Sequence, residues 1–253
     1  MIHTTSIISE SAQIAEGVEV GPYCVIGPNV VIEKGCRLHA HVCIEKETSI
    51  GENCEFFPFA AIGGRTQDLK YDGEPTRLVI GSHNTFRENT TVHRATDKEI
   101  PTTIGDHNLF LAYSHVAHDC QIGNHIIFSN NGTVAGHVIV EDYAIISGLT
   151  AVHQFCRIGQ HSITGGCSKI VQDVPPFMIV DGNPGAVRGI NLTGLQRRGF
   201  TAEQIREVKQ AYKALFLKKK LNLQDCLRNL EDAQGLSAVI RDFVLATERG
   251  VTR

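Results

Sequence analysis

VEVGPYCVIGPNVVIEKGCRL, residues 18–38, places an aliphatic side chain at Val20, Ile26, Ile32 and Leu38, one every six residues. The register runs outward in both directions: Ile14, Ile8 and Ile2 precede it, and Ile44, Ile50, Phe56 and Ile62 follow without an exception. It resumes at Ile80, Phe86 and Val92, and again at Ile104, Phe110, Val116, Ile122, Phe128, Val134, Val140, Ile146, Val152 and Ile158, with Thr164 as a break before Ile170. A period of six is neither the 3.6 of a helix nor plain strand alternation. Hexapeptide repetition marks a parallel β-helix in which each hexad forms one flat side. Three hexads close a triangular coil, so equivalent residues stack about 4.8 Å apart and are read by adding 18.

Composition fits a repetitive core. The 253 residues are 42% hydrophobic, but aromatics make up 6% and Trp is absent, which predicts an aliphatic lattice. The residue after the inward aliphatic is often Gly, as at Gly21, Gly27, Gly51, Gly63 and Gly105, where a tight corner would use a permissive backbone. Two residues before it stand Ala12, Cys24, Cys36, Cys54, Ala60, Cys120, Ala144 and Cys156. Five of the eight cysteines thus fall in a column for small side chains, and no CxxC occurs, which points to packing in a reducing compartment.

Two segments depart from the lattice, at about 64–78 and 93–103, and are expected to project from corners. Residues 1–190 are expected to form the β-helix and 191–253 a small helical domain. Thr201 to Gln204 resembles a capping box opening a helix with Ile205, Val208, Tyr212 and Leu215 on one face, and Leu221 to Leu230 and Leu236 to Ala246 read as two more. The N-terminus has neither a basic nor an apolar leader region, and no run of about 18 apolar residues occurs, so a soluble, cytoplasmic protein without an integral membrane segment is expected. The net charge of −3 conceals a basic segment at 197–253, with 12 Lys/Arg against 7 Asp/Glu. This is either a solvated helical face or a docking surface for an anionic partner. Lys218 to Lys220 fits a solvated run or a contact with an acidic carrier protein. No nucleic-acid partner is expected.

The 18-residue address isolates one chemical cluster. His118, Gly136 and Gln154 share a column, Asp119, His137 and Phe155 the next, and Ala117, Ala135 and His153 the one before. His115 lies just ahead of the corner. His3, His83, His107 and His125 suit a hydrated polar corner. Two chemistries fit the cluster: a general base at His118 whose tautomer is set by Asp119 or another nearby acceptor, with an amide near Gly136 stabilising an oxyanion; or a zinc ion on His115, His118 and His137 with an open position for water.

The hexads together with HVAHDC (115–120), AGHV (135–138), AVHQFC (151–156), QDLKY (67–71) and GLQRRGF (194–200) resemble the UDP-N-acetylglucosamine O-acyltransferases that open lipid A biosynthesis. The resemblance spans essentially the whole chain. It implies a left-handed parallel β-helix, against the usual right-handed crossover, and a homotrimer with active sites between subunits. It implies transfer of a 3-hydroxyacyl group from acyl carrier protein to the 3-position of the UDP-sugar, without a metal or other cofactor. On this resemblance His118 is the base and Gly136 the oxyanion donor, while Asp119 joins the catalytic set from the column reading. Gln67, Asp68, Lys70, His93, His115, His137, His153, Gln154, Asn191, Arg197 and Arg198 contact substrate, and Gly166 limits acyl-chain length. Thr193 departs from the family's glutamate, removing a charge from the nucleotide end. The alternatives are a zinc-dependent γ-type carbonic anhydrase and a non-catalytic solenoid scaffold.

Overall fold

The computed structural model describes residues 1–217 and 222–253; Lys218 to Lys220 and the expected helix start at Leu221 lie outside the described residues. The chain winds as a left-handed parallel β-helix whose strands, most of them two residues long, pair with strands one coil away, as in Ile7 with Val25 and Ile8 with Ile26. Face 1 has nine strands from Ile7–Ile8 to Lys169–Ile170, and face 2 has eight from Gln13–Ile14 to Arg157–Ile158. Face 3 has ten, from Glu19–Val20 through Ile163–Thr164 and ending in the antiparallel pair Met178–Gly182 and Gly185–Ile190.

The six-residue aliphatics point inward and form one continuous core, from Val20, Ile26 and Ile32 to Ile158 and Ile170. The core is not purely aliphatic. Phe56, Phe86, Phe110 and Phe128 stack along face 3 with ring centroids 4.9, 4.7 and 5.0 Å apart. Thr164, the break in the register, is buried, and its hydroxyl meets Thr150 Oγ1 at 3.2 Å and accepts the Ser147 amide at 2.9 Å.

The small-residue column does more than save space. Thiols of Cys24, Cys36, Cys54 and Cys120 each donate to a carbonyl of the following coil, those of His39, Gly51, Gly81 and Ala135. Asn84 and Asn108 use their side-chain amides on Gly105 and Gly123 in the same way. All eight cysteines are free thiols.

A permissive corner backbone is found at Gly63, with φ of 77°, but not at the other expected glycines. Left-handed backbone falls three residues after the inward aliphatic, at Tyr23, Asn29, His41, His83 and His125 among others, and not at Gly21, Gly51 or Gly105. Those glycines are needed for close stacking, because a Cβ would lie 2.9 Å from the His39 carbonyl carbon at Gly21, 2.8 Å from that of Gly81 at Gly51, and 2.7 Å from the Gly123 oxygen at Gly105.

Three corners join the faces. Both insertions leave the corner between faces 1 and 2, the first between Ala61–Gly64 and Leu78–Ile80 and the second between Thr91–His93 and Thr102–Ile104. We call it the loop corner. Between faces 2 and 3 runs the ladder corner, where His83, His107, His125, Tyr143 and His161 stack at 4.6 to 4.9 Å between neighbours. Gly148 and Gly166 lie on the third corner, where the Cys167 amide donates to the Gly148 carbonyl.

The far end of the solenoid is covered by helices α1 (Leu192–Arg197), α2 (Ala202–Tyr212), α3 (Leu223–Arg228) and α4 (Gly235–Leu245). Thr201 caps α2 with both bonds of the capping box in place. Leu195, Ile205, Val208, Leu215, Ile240 and Phe243 bury against Phe177 and Met178 of the last coil, giving the helices a second core and the solenoid a closed end. Asp173 ties the two together, accepting from the Arg157 amide and the Thr247 hydroxyl. Among the described residues no helix is long and apolar enough to cross a membrane.

Candidate active site

The centre of the loop corner is set by steric exclusion. His118 lies two residues after the inward Val116, and the next coil offers Gly136 at the equivalent place, where a Cβ would stand 2.5 Å from His118 Cε1 and 2.7 Å from Nε2. Only glycine leaves room for the imidazole. Asp119 follows at the left-handed position, with φ of 57°. Its Oδ2 lies 2.6 Å from His118 Nδ1 and 3.6 Å from His137 Nε2. Its Oδ1 accepts the amides of Thr96 at 2.9 Å and Asp97 at 3.0 Å, while its own amide donates to Thr102 Oγ1.

Burial disfavours the Asp119 carboxylate, but the hydrogen bonds from His118, Asp97 and Thr96 outweigh it and hold its pKa below the ordinary carboxylate range. Asp119 is therefore ionised at neutral pH, so the proton between it and His118 sits on Nδ1. In the neutral imidazole this tautomer leaves the lone pair on Nε2.

His93 and His115 lack such a counter-charge. His93 is buried, with Nδ1 unpaired, and desolvation followed by His115, His118 and Arg94 lowers its pKa to about 4. His115 is shifted down by desolvation and then by His118, and its Nδ1 pairs with Thr91 Oγ1 at 2.7 Å. The two rings meet edge to face at 4.8 Å. His137 stands perpendicular to His118 at 5.3 Å and stacks on Phe155 at 4.6 Å. His153 and Gln154 are exposed on the following coil.

From the first insertion Asp68 reaches the centre, and ligand atoms of Asp68, His118 and His137 lie within 4.8 Å of one another. His115 is not part of this group, so the zinc set of His115, His118 and His137 is not assembled. Gln67 and Lys70 are exposed on the same insertion.

Other expected residues stand elsewhere. Asn191 caps α1, accepting from the Gly194 amide and donating to the His161 carbonyl, so its side chain is engaged within the chain. Arg198 lies on the ladder corner, donating to the Tyr143 carbonyl at 3.1 Å with its guanidinium 5.1 Å from the Tyr143 ring centre. Arg197 and Thr193 are exposed on α1, and Gly166 is on the third corner, with only the Gly148 oxygen near a Cβ, at 3.5 Å. One chain therefore brings together His118, Asp119, Gly136, His137 and Asp68, and leaves Arg197, Arg198 and Gly166 apart from them.

Thr96, Thr102 and the buried Arg94 escape the column reading. Each borders the second insertion, where adding 18 no longer finds the neighbour. Arg94 donates to the Gly63 carbonyl and lies 3.7 Å from Glu45, with Nε unpaired.

Comparison with known proteins places this geometry in a family. Residues 173–252 match the model of domain 2 of UDP-N-acetylglucosamine O-acyltransferases, and residues 11–46 match the bacterial transferase hexapeptide repeat. The acyl-(acyl-carrier-protein)–UDP-N-acetylglucosamine O-acyltransferase of Verminephrobacter eiseniae is 49% identical, and that of Stutzerimonas stutzeri 46%, each over 100% of this chain and 99% of the relative. The crystal structure of the UDP-N-acetylglucosamine acyltransferase of Bacteroides fragilis superposes with a TM-score of 0.97 at 39% identity, covering 100% of both chains. The carbonic anhydrase and scaffold alternatives are not favoured, and the chain belongs to the UDP-N-acetylglucosamine O-acyltransferase family of lipid A biosynthesis.

Proposed function

We propose that the loop corner transfers a 3-hydroxyacyl group from acyl carrier protein to the 3-position of the glucosamine of UDP-N-acetylglucosamine. The observation that carries this reading is the imidazole of His118, held by an ionised carboxylate on Nδ1 and seated on a glycine. His118 Nε2 takes the proton of the sugar hydroxyl as its oxygen attacks the thioester carbonyl. The new C–O bond forms, the C–S bond breaks, and the imidazolium returns its proton to the departing thiolate.

The carbonyl oxygen gathers negative charge and needs a donor. The Gly136 amide suits this role, because the same lattice position is proline at Pro22, Pro28 and Pro58, so the coil has no structural use for that hydrogen. Asp68, Gln67 and Lys70 would hold the sugar from the first insertion, with His93, His115, His137, His153 and Gln154 along the face beside it. Arg197 and Arg198 match the diphosphate, and Asn191 acts through the α1 cap that carries them.

In this reading residues 1–190 supply the chemistry and 191–253 the nucleotide end. Arg198 and His118 occupy different corners of one chain, which supports a homotrimer in which each site is completed by a second subunit. Gly166 leaves room for the acyl tail. A cytoplasmic location is part of the proposal and accords with eight unpaired cysteines. Incubating the protein with UDP-N-acetylglucosamine and a series of 3-hydroxyacyl carrier-protein thioesters, then weighing the products, tests the reading: a 3-O-acylated UDP-sugar supports it, and unreacted sugar with every donor refutes it.

A further inference from the structure

The two insertions are fastened to each other and to the base. At their roots, the buried Arg94 guanidinium donates to the Gly63 carbonyl and the Arg94 amide donates to Gly64 at 2.9 Å. Further out, Thr66 Oγ1 and Thr96 Oγ1 lie 2.7 Å apart. Thr66 is buried, and the same oxygen accepts the amide of Asp68 at 3.1 Å. On the other side, the Thr96 and Asp97 amides converge on Asp119 Oδ1, and Asp119 Oδ2 holds His118. A continuous series of hydrogen bonds thus runs from the imidazole through one carboxylate and two hydroxyls to the backbone of Asp68.

We propose that Thr66 and Thr96 are positioning residues, whose hydroxyl pair ties the first insertion to the second so that Asp119 fixes both the base and the location of Asp68. The proposal rests on the reading of the loop corner as the acyl-transfer site. An insertion without secondary structure loses conformational freedom when it is ordered. A hydroxyl pair with one partner buried is suited to holding it, since solvent competes less well there than at an exposed pair. Neither threonine needs to touch substrate. Their loss leaves His118, Asp119 and Gly136 in place and frees the segment carrying Gln67, Asp68 and Lys70.

The test uses the full-length protein and the variants Thr66→Val, Thr96→Val, the double variant and Thr66→Ser. Each valine removes a hydroxyl while keeping the branched shape. Expected are a KM for UDP-N-acetylglucosamine raised roughly 3- to 10-fold, kcat within about 2-fold of the parent, and faster amide hydrogen exchange at 66–70 in the Thr96→Val protein, where nothing in the first insertion has changed. The double variant should be no worse than Thr66→Val, which by itself removes both the hydroxyl pair and the acceptor of the Asp68 amide. Thr66→Ser should restore the parent KM.

Unchanged exchange at 66–70 in Thr96→Val overturns the tether. Faster exchange with an unchanged KM, or additive effects in the double variant, overturns the positioning role. Should Thr66→Val fail to fold, Thr96→Val, altered at a half-exposed site, carries the same test alone. Failure of the underlying reading would show separately, as turnover surviving in His118→Ala.

Discussion

At the ladder corner His83, His107, His125 and His161 occupy the left-handed position three residues after an inward aliphatic, and each stacks on its neighbours. At the loop corner His118 stands one residue earlier, at the position that Pro28 holds two coils before the first insertion, and turns onto Gly136. The residue type is the same and the outcome differs. A histidine in the ladder position spends its ring on stacking. The ring of His118 instead meets a buried carboxylate, a glycine that admits it, and two loops that cover it. In the proposed reading, chemistry at this lattice follows from those three neighbours and not from the number of imidazoles. His137 shows the intermediate case, stacked on Phe155 like a ladder residue and yet 3.6 Å from Asp119.

The sharpest way to break the comparison is to delete one imidazole from each corner. His118→Ala should lower kcat by roughly 10² to 10⁴-fold with the fold intact, whereas His83→Ala, on the ladder but separated from Tyr143 and Arg198 by the rings of His107 and His125, should stay within about 2-fold, as expected of a surface ring. Equal losses in the two proteins would erase the distinction between the corners.

Next in size is Gly136→Ala. The added methyl would overlap the His118 ring and displace it, and a displacement of about 1 Å in a reacting group lowers turnover on the order of 10²-fold. Steady-state rates at saturating substrates would measure it; a parent-like kcat would mean that His118 works from another rotamer.

On the third corner, Gly166→Met is expected to shift donor preference toward a chain several carbons shorter. Each methylene denied burial forfeits about 0.8 kcal/mol, roughly 4-fold in kcat/KM. Competition between donors of different length gives the ranking, and a ranking identical to the parent's would place the acyl groove elsewhere.

The smallest effect concerns pH. His93 at the loop face and His161 on the ladder both have a pKa of about 4, below the ordinary 6.5, desolvation being the main cause in each. Because the unfolded chain binds these protons first, stability is fully present above about pH 6.5 and declines as pH falls toward 4. His161→Asn should flatten that decline, losing a few degrees less in Tm between pH 7 and 4.5 at about 2–4 °C per kcal/mol. Parallel Tm curves would show that His161 does not titrate with folding.

The lattice was legible because every residue carries an address that repeats after 18 positions. Adding 18 to His118 reached Gly136 and Gln154 with no structural information, and the same arithmetic explained five cysteines by column. It did not reveal why cysteine in particular suits the column, because the thiol's partner is a carbonyl 15 residues on, in a different column. The role of the glycines was misread for a related reason: periodicity reports which residues face inward and is silent on how closely two coils approach outside. Contacts that cross an insertion, such as Thr102 with Asp119 or Thr66 with Thr96, have no fixed offset and were not legible. Arg198 was identified by its motif, while its place on the ladder corner depends on how the helices fold back over the last coil, which no repeat encodes.

That separation leads to the central claim, that one site joins the loop corner of one chain to the ladder corner of another. Mixing chains tests it most directly. His118→Ala and Arg198→Ala proteins, differently tagged, are unfolded and reassembled together in equal amounts, and acyl transfer is measured at a UDP-sugar concentration far below KM. Random assembly places an intact His118 beside an intact Arg198 at roughly one site in four, so the mixture should regain about a quarter of the parent rate. Activity no greater than the average of the two variants assembled separately would mean that both residues serve the same chain's site, and would contradict the account.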